Sequence, residues 1–85
     1  MLQKASVGRS VHYVLATPEG EEPVIRPAII VRVWNDETGM CNLQVFTDGT
    51  NDQRHGTDGS GTLWATSREY SEEYRVGTWH WMPRV

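Results

Sequence analysis

Apolar and polar residues alternate through most of this chain. Nowhere do apolar positions recur every three to four residues over ten or more positions, so a helical fold is not indicated. Five short runs carry the two-residue period of strands. VHYVL spans 11–15 and VIRPAIIVRVW spans 24–34. CNLQVFT at 41–47 puts Cys41, Leu43 and Val45 on one face and Asn42, Gln44 and Phe46 on the other. TLWATS at 62–67 and GTWHWM at 77–82 complete the set. The expected buried faces use Val11, Tyr13, Leu15, Ile29, Val31, Val33, Leu43, Val45 and Leu63. Pro27 lacks an N–H, which points to an edge strand or a strand start.

The connectors are rich in turn formers. TPEGEEP at 17–23 has two prolines and a glycine, and NDETG at 35–39 suits a tight hairpin loop. SEEYRVG at 71–77 could form one helical or 3₁₀ turn with Ser71 as its N-cap. DGTNDQRHGTDGSG at 48–61 has four glycines and almost nothing apolar, so it reads as a long flexible loop of the functional kind. The expected architecture is all-β: a small SH3-like (or OB-like) antiparallel barrel of about five strands with one long glycine-rich loop.

Size limits what such a barrel can be. Eighty-five residues make one domain, 1–85, with 1–8 as an N-terminal tail. A core this thin favours homo-oligomers. The single cysteine, Cys41, excludes an intramolecular disulfide and an all-cysteine zinc site. Neither a secretory leader nor a membrane-spanning run is visible, so a cytoplasmic protein with no membrane partner is expected. The formal charge of −3 argues against duplex nucleic acid as a partner. Seven of the eight cations are arginines, which fork onto phosphate or carboxylate and stack on rings. A GC-rich coding sequence would give the same skew.

Catalytic and metal chemistry find little support. His12, His55 and His80 lie in separate segments. If the first and last strands pair, His12 and His80 could approach, and with Cys41 would make a conceivable zinc site, but no ligand spacing asks for one. Asp48, Asn51, Asp52 and Asp58 lack the pattern of a calcium loop. His55 stands near Asp52, yet no nucleophile elbow or oxyanion hole accompanies them. No catalytic residue, metal or cofactor is assigned.

The rings are more informative. Trp34, Trp64, Trp79, Trp81, Tyr13, Tyr70 and Tyr74 are too many large rings for so thin a core to bury. On a strand, Trp79 and Trp81 share one face and His80 takes the other. Partly exposed tryptophans beside arginines suit an interface or a ligand platform.

HYVL, RPAIIVRVW, NLQVFTDGTND, WATSREYSEE and GTWHW together resemble a group of small phage and prophage proteins of no established activity. The likeness runs from about 11 to 83. More loosely, the chain is similar to phage proteins that counter bacterial immunity by sequestering nucleotide signals. That likeness implies a non-catalytic, oligomeric protein of the host cytoplasm whose partner is a nucleotide-type small molecule, such as a cyclic oligonucleotide or an ADP-ribose derivative. It carries over no site residue. From side-chain chemistry alone, Trp79, Trp81 or Trp64 would stack on the base, and Arg26, Arg54, Arg68 or Arg75 would hold phosphate. Tyr70 and His80 join that set, and the 48–61 loop would close as a lid with Asn51 and Thr50 as hydrogen-bonding groups. The principal alternative is a phage assembly or protein-interaction module that binds a host or phage protein. A third expectation is a nucleotide-processing enzyme using His55 or His80 as base.

Overall fold

A computed structural model describes residues 4–83. Its strands are β1 (Ser10–Val14), β2 (Ile25–Asn35), β3 (Met40–Phe46), β4 (Thr62–Arg68) and β5 (Trp79–His80). They form one sheet in the order β4-β3-β2-β1-β5, and every strand pair is antiparallel. The first four strands make a meander, and the last returns to pair with the first. A parallel bridge between Tyr70 and Trp79 joins the end of the β4 segment to β5 and closes the sheet on itself. The result is the all-β, SH3-like small barrel that the alternation predicts.

Register decides which residues enter the core, because opposed residues share a face. Val11 lies opposite Ala28, and Ile30 lies opposite Leu43. Ala28 and Ile30 therefore point inward and are buried, whereas Ile29 is half-buried and Val31 exposed. The expectation for Ile29 and Val31 is corrected here. PAIIV is apolar on both faces, so alternation alone cannot choose between them. A bulge between Ile30 and Arg32 then shifts the phase by one, and Val33 returns to the inner face opposite Cys41. Val33 and Leu63 pack against the core while remaining partly exposed.

Other expectations also change. Pro27 sits in a central strand, not an edge. The β2–β3 ladder begins at Ala28 opposite Val45, so Pro27 lies just outside it and its cross-strand neighbour is His12 on β1. β5 has only two residues instead of six. The 71–77 segment forms turns without a helical one, and Ser71 Oγ accepts a hydrogen bond from Arg75 Nε instead of capping. The 3₁₀ helix lies in the glycine-rich loop, at Gly49–His55. The N-terminal segment from Lys4 is not wholly a tail, since Ala5 is buried and Gly8 N donates to the carbonyl of Ile30. Residues 1–3 of that predicted tail lie outside the described residues.

Trp79 plugs the barrel. It is 0 % exposed, its Nε1 donates to the Gly39 carbonyl at 2.7 Å, and Tyr70 and Trp81 meet it edge-on at 5.1 Å. Gly39 makes this possible at the turn after β2. Its φ of +77° suits glycine, and a Cβ there would meet Tyr70 Cβ at 2.6 Å.

Candidate functional site

The glycine-rich loop is anchored by its own charges. Asp52 is 1 % exposed and takes a two-pronged fork from Arg26, with Nε to Oδ2 at 2.7 Å and Nη2 to Oδ1 at 2.8 Å. The same Oδ2 accepts the Asp48 N–H. The hydrogen bonds from Arg26 are the main reason the Asp52 carboxyl is held below the usual carboxylate range. Arg26 Nη1 donates to the Ile25 carbonyl, so all three guanidinium nitrogens are engaged. His55 is buried at the other end of the 3₁₀ helix, and its Nδ1 contacts the Ala16 carbonyl at 3.0 Å, which requires the proton on Nδ1. Asp52 and His55 thus both tie the loop to the rest of the fold. Thr50 and Asn51 are exposed on this helix, and Arg54 reaches Glu21 at 3.5 Å.

The expected nucleotide site is consequently dispersed. Trp79 offers no face to a ligand, because the core encloses it. Arg26 offers no free fork. Trp64 stands on the outer face of β4, and the 3₁₀ helix carries Arg54, Asn51 and Thr50. Arg68 ends β4 with its guanidinium beside Gly77, and Arg75 bonds Ser71. Cys41 is wholly buried on the inner face, where burial pushes its thiol up to about 11, so it is a packing residue and a poor nucleophile. β1 and β5 do pair, and the His12 and His80 rings meet edge-on at 5.7 Å. Cys41 faces the opposite side of the sheet, so these three groups do not converge. Among the described residues, no cluster of three metal-ligating side chains is present.

Two surface features remain. The first is a shallow groove of about 310 Å³ along the β5 edge. Tyr70, Glu72, Tyr74, His80, Trp81 and Pro83 line it, which gathers three of the expected residues, Tyr70, His80 and Trp81. Tyr74 lies flat on His80, with centroids 4.1 Å apart. His80 is 5 % exposed, and neither ring nitrogen has a hydrogen-bond partner. Burial, with a smaller effect from His12, lowers its pKa below the ordinary value. Trp79 and His80 are both buried, contrary to the expectation that one of the two faces outward. The chain wraps around both sides of the β5 edge.

The second is the outer face of β2, β3 and β4. Ile29, Gln44 and Trp64 lie in one cross-strand row. Phe46 is on the same side of β3, since Val45 and Leu43 point inward. Trp34 folds over β3, its Nε1 donating to Asn42 Oδ1 at 2.8 Å, and Arg32 stacks on its ring at 3.8 Å. Asn42 Oδ1 also accepts the Ser67 N–H at 2.9 Å, holding a β4 bulge in which Ser67 has a φ of +53°. Trp34 and Trp64 are each 50 % exposed, and Val31 and Phe46 are exposed as well. Sequence reasoning placed Phe46 outward and some tryptophans at the surface but did not place Val31 and Trp34 on the face of Trp64, because the register shifts along β2 that aim them are tertiary features.

No family model, curated protein or solved structure matches this chain. Among the described residues no helix is long and apolar enough to cross a membrane.

Proposed function

We propose that this chain is a non-catalytic interaction module that docks a protein partner on the outer face of β2–β4. The observation that carries this reading is the group of exposed apolar side chains, Val31, Trp34, Phe46 and Trp64, with half-buried Ile29, on the outer face of β2–β4 around Asn42 and Gln44. Soluble domains rarely leave such rings together in water unless they meet a partner. Half-exposed tryptophan and a stacked arginine are also the residue types that dominate binding energy at protein interfaces. On the likeness to phage and prophage proteins, the partner is a host or phage protein. A second copy of the chain on this face would make the homo-oligomer expected from size.

The geometry favours this reading over sequestration of a nucleotide signal. A nucleotide needs an arginine fork beside a stacking ring. Here Arg26 is taken by Asp52, Arg54 reaches Glu21 and Arg75 bonds Ser71, so three of the four arginines expected to hold phosphate already have polar partners. The test is retention from an extract of infected bacteria on immobilised wild-type protein and on a Trp34→Ala, Phe46→Ala, Trp64→Ala variant. Wild type should hold one protein at stoichiometric yield, and the variant should lose it with Tm unchanged. Equal retention by both would overturn the reading. So would a nucleotide that co-purifies with the protein and is released unaltered on heating.

A further inference from the structure

We propose that the free edge of β4 pairs with the same edge of a second copy of this chain, so that two sheets continue into one another through a two-fold dimer. Backbone hydrogen bonding defines that edge. Thr47 N donates to the Gly61 carbonyl at 2.8 Å, Leu63 lies opposite Val45, and Ala65 lies opposite Leu43. Bonded and unbonded pairs alternate along an antiparallel ladder, so Leu63 and Ala65 turn their N–H and C=O groups towards β3. Thr62, Trp64 and Thr66 turn theirs the other way. β4 ends the strand order, and among the described residues no strand covers that side. A local contact exists at Thr62, whose N–H donates to Ser60 Oγ at 3.3 Å. The other end of the sheet is closed off. β5 has two residues, and the backbone of Glu69 and Ser71 bonds Trp79 beside the Tyr70 bridge. Exposed edges are usually blunted with lysine, proline or an inward charge, and TLWAT at 62–66 has none of these.

The occupant is a second copy because the edge complements itself. The residues whose backbone faces outward read Thr-Trp-Thr in either direction. An antiparallel two-fold at Trp64 therefore sets tryptophan against tryptophan and each Thr62 against the other copy's Thr66. Each of these pairs can exchange both of its N–H···O bonds, with Cα atoms about 5.5 Å apart. Aromatic and threonine pairs are favourable cross-strand neighbours. A register shifted by two residues opposes each Trp64 to a threonine instead. On the inner face the same register brings Leu63, which is partly exposed, against Ala65 of the other copy and covers it. Charge does not oppose the pairing. Arg68 is the one charged residue of β4, and it falls opposite the other copy's Ser60. The dimer leaves the outer faces of the two sheets side by side and uncovered.

This proposal does not rest on the docking of a protein partner. Trp64 is common to both, but the β4 backbone is used only here, so the tests change the backbone and spare Trp64. The experiment is sedimentation equilibrium of the purified chain across a concentration series, joined to amide hydrogen exchange read residue by residue by NMR. The chain should be a dimer at the upper concentrations. Leu63 and Ala65 amides should be protected at every concentration, and Trp64 and Thr66 amides should gain protection only as the dimer forms. Thr66→Pro should leave the monomer folded, because proline is tolerated where an edge N–H faces solvent. It should raise the dimer dissociation constant by about tenfold or more, since one inter-chain hydrogen bond is lost in each copy. A Thr62→Lys, Thr66→Lys variant keeps the backbone, opposes like charges across the two-fold and should also be monomeric with Tm unchanged. Trp34→Ala with Phe46→Ala should stay dimeric. The proposal is overturned if the chain remains a monomer at millimolar concentration, or if Trp64 and Thr66 amides exchange as fast in a dimer as in the monomer. It is also overturned if the dimer survives both β4 variants, or is lost in the Trp34, Phe46 variant and kept in Thr66→Pro.

Discussion

Trp79→Ala should break the fold. An indole buries roughly 200 Å², and at about 25 cal/mol per Å² that is near 5 kcal/mol of transfer free energy. Measured Trp→Ala changes in cores cost about 3–5 kcal/mol, since the site relaxes in part. The substitution also strips the Gly39 carbonyl of its donor inside a buried turn, worth about another 1 kcal/mol. A domain of 85 residues has a total stability on the order of 4–13 kcal/mol. Trp79→Ala therefore removes a large fraction of it, and at the low end all of it. Urea unfolding followed by far-UV circular dichroism measures this directly. Trp79→Phe should cost less, about 1–3 kcal/mol, because a ring still fills the centre while the N–H bond is lost. Gly39→Ala should destabilise comparably to Trp79→Phe, since it drives a Cβ into Tyr70 and strains a positive φ. A Trp79→Ala protein within about 1 kcal/mol of wild type would refute the view that this indole organises the barrel.

Arg26→Ala should cost roughly 2–4 kcal/mol by stranding a buried carboxylate, at the lower side of the usual range because Arg26 is partly exposed. The Asp52 contribution is present above its ordinary pKa of 3.8 and is lost as pH falls through the lower folded value, so Arg26→Ala should flatten acid unfolding in that window. His80 acts at higher pH. Its folded pKa is below the ordinary 6.5, so below pH 6.5 the unfolded chain binds a proton that the folded chain, with His12 and Tyr74 against the ring, resists. Stability should fall as pH drops from 6.5 towards the folded value, by at most about 1.4 kcal/mol per pH unit, and denaturant midpoints of His80→Leu should lack that slope. Asn42→Ala should cost about 1–2 kcal/mol, since it releases both the Trp34 indole and the Ser67 N–H, and Trp34 emission should shift red.

The strands were legible because alternation is a local property. All five lie within a few residues of where the periodicity puts them, and the β3 facing pattern holds residue by residue. The turns at 17–23 and 35–39 carry their own chemistry, such as the Asn35 Oδ1 that accepts the Glu37 and Thr38 N–H groups. The candidate site was legible in kind but not in place. Composition required exposed rings, and Trp34 and Trp64 are exposed. It could not distinguish Trp79 from them, because burial of an indole depends on what closes over it.

What the sequence determines by itself is therefore the all-β class, the strand count and the presence of surplus rings. These follow from a two-residue period and from a core too thin for four indoles. What only the tertiary structure decides is the choice between two apolar faces of β2, the partner of Arg26, and the fate of each tryptophan. A bulge at Val31 re-phases one strand, an acid twenty-six residues away captures an arginine that looked free, and a glycine turn opens the space that Trp79 fills. Each is a contact between segments distant in the chain, and local pattern carries no information about such contacts.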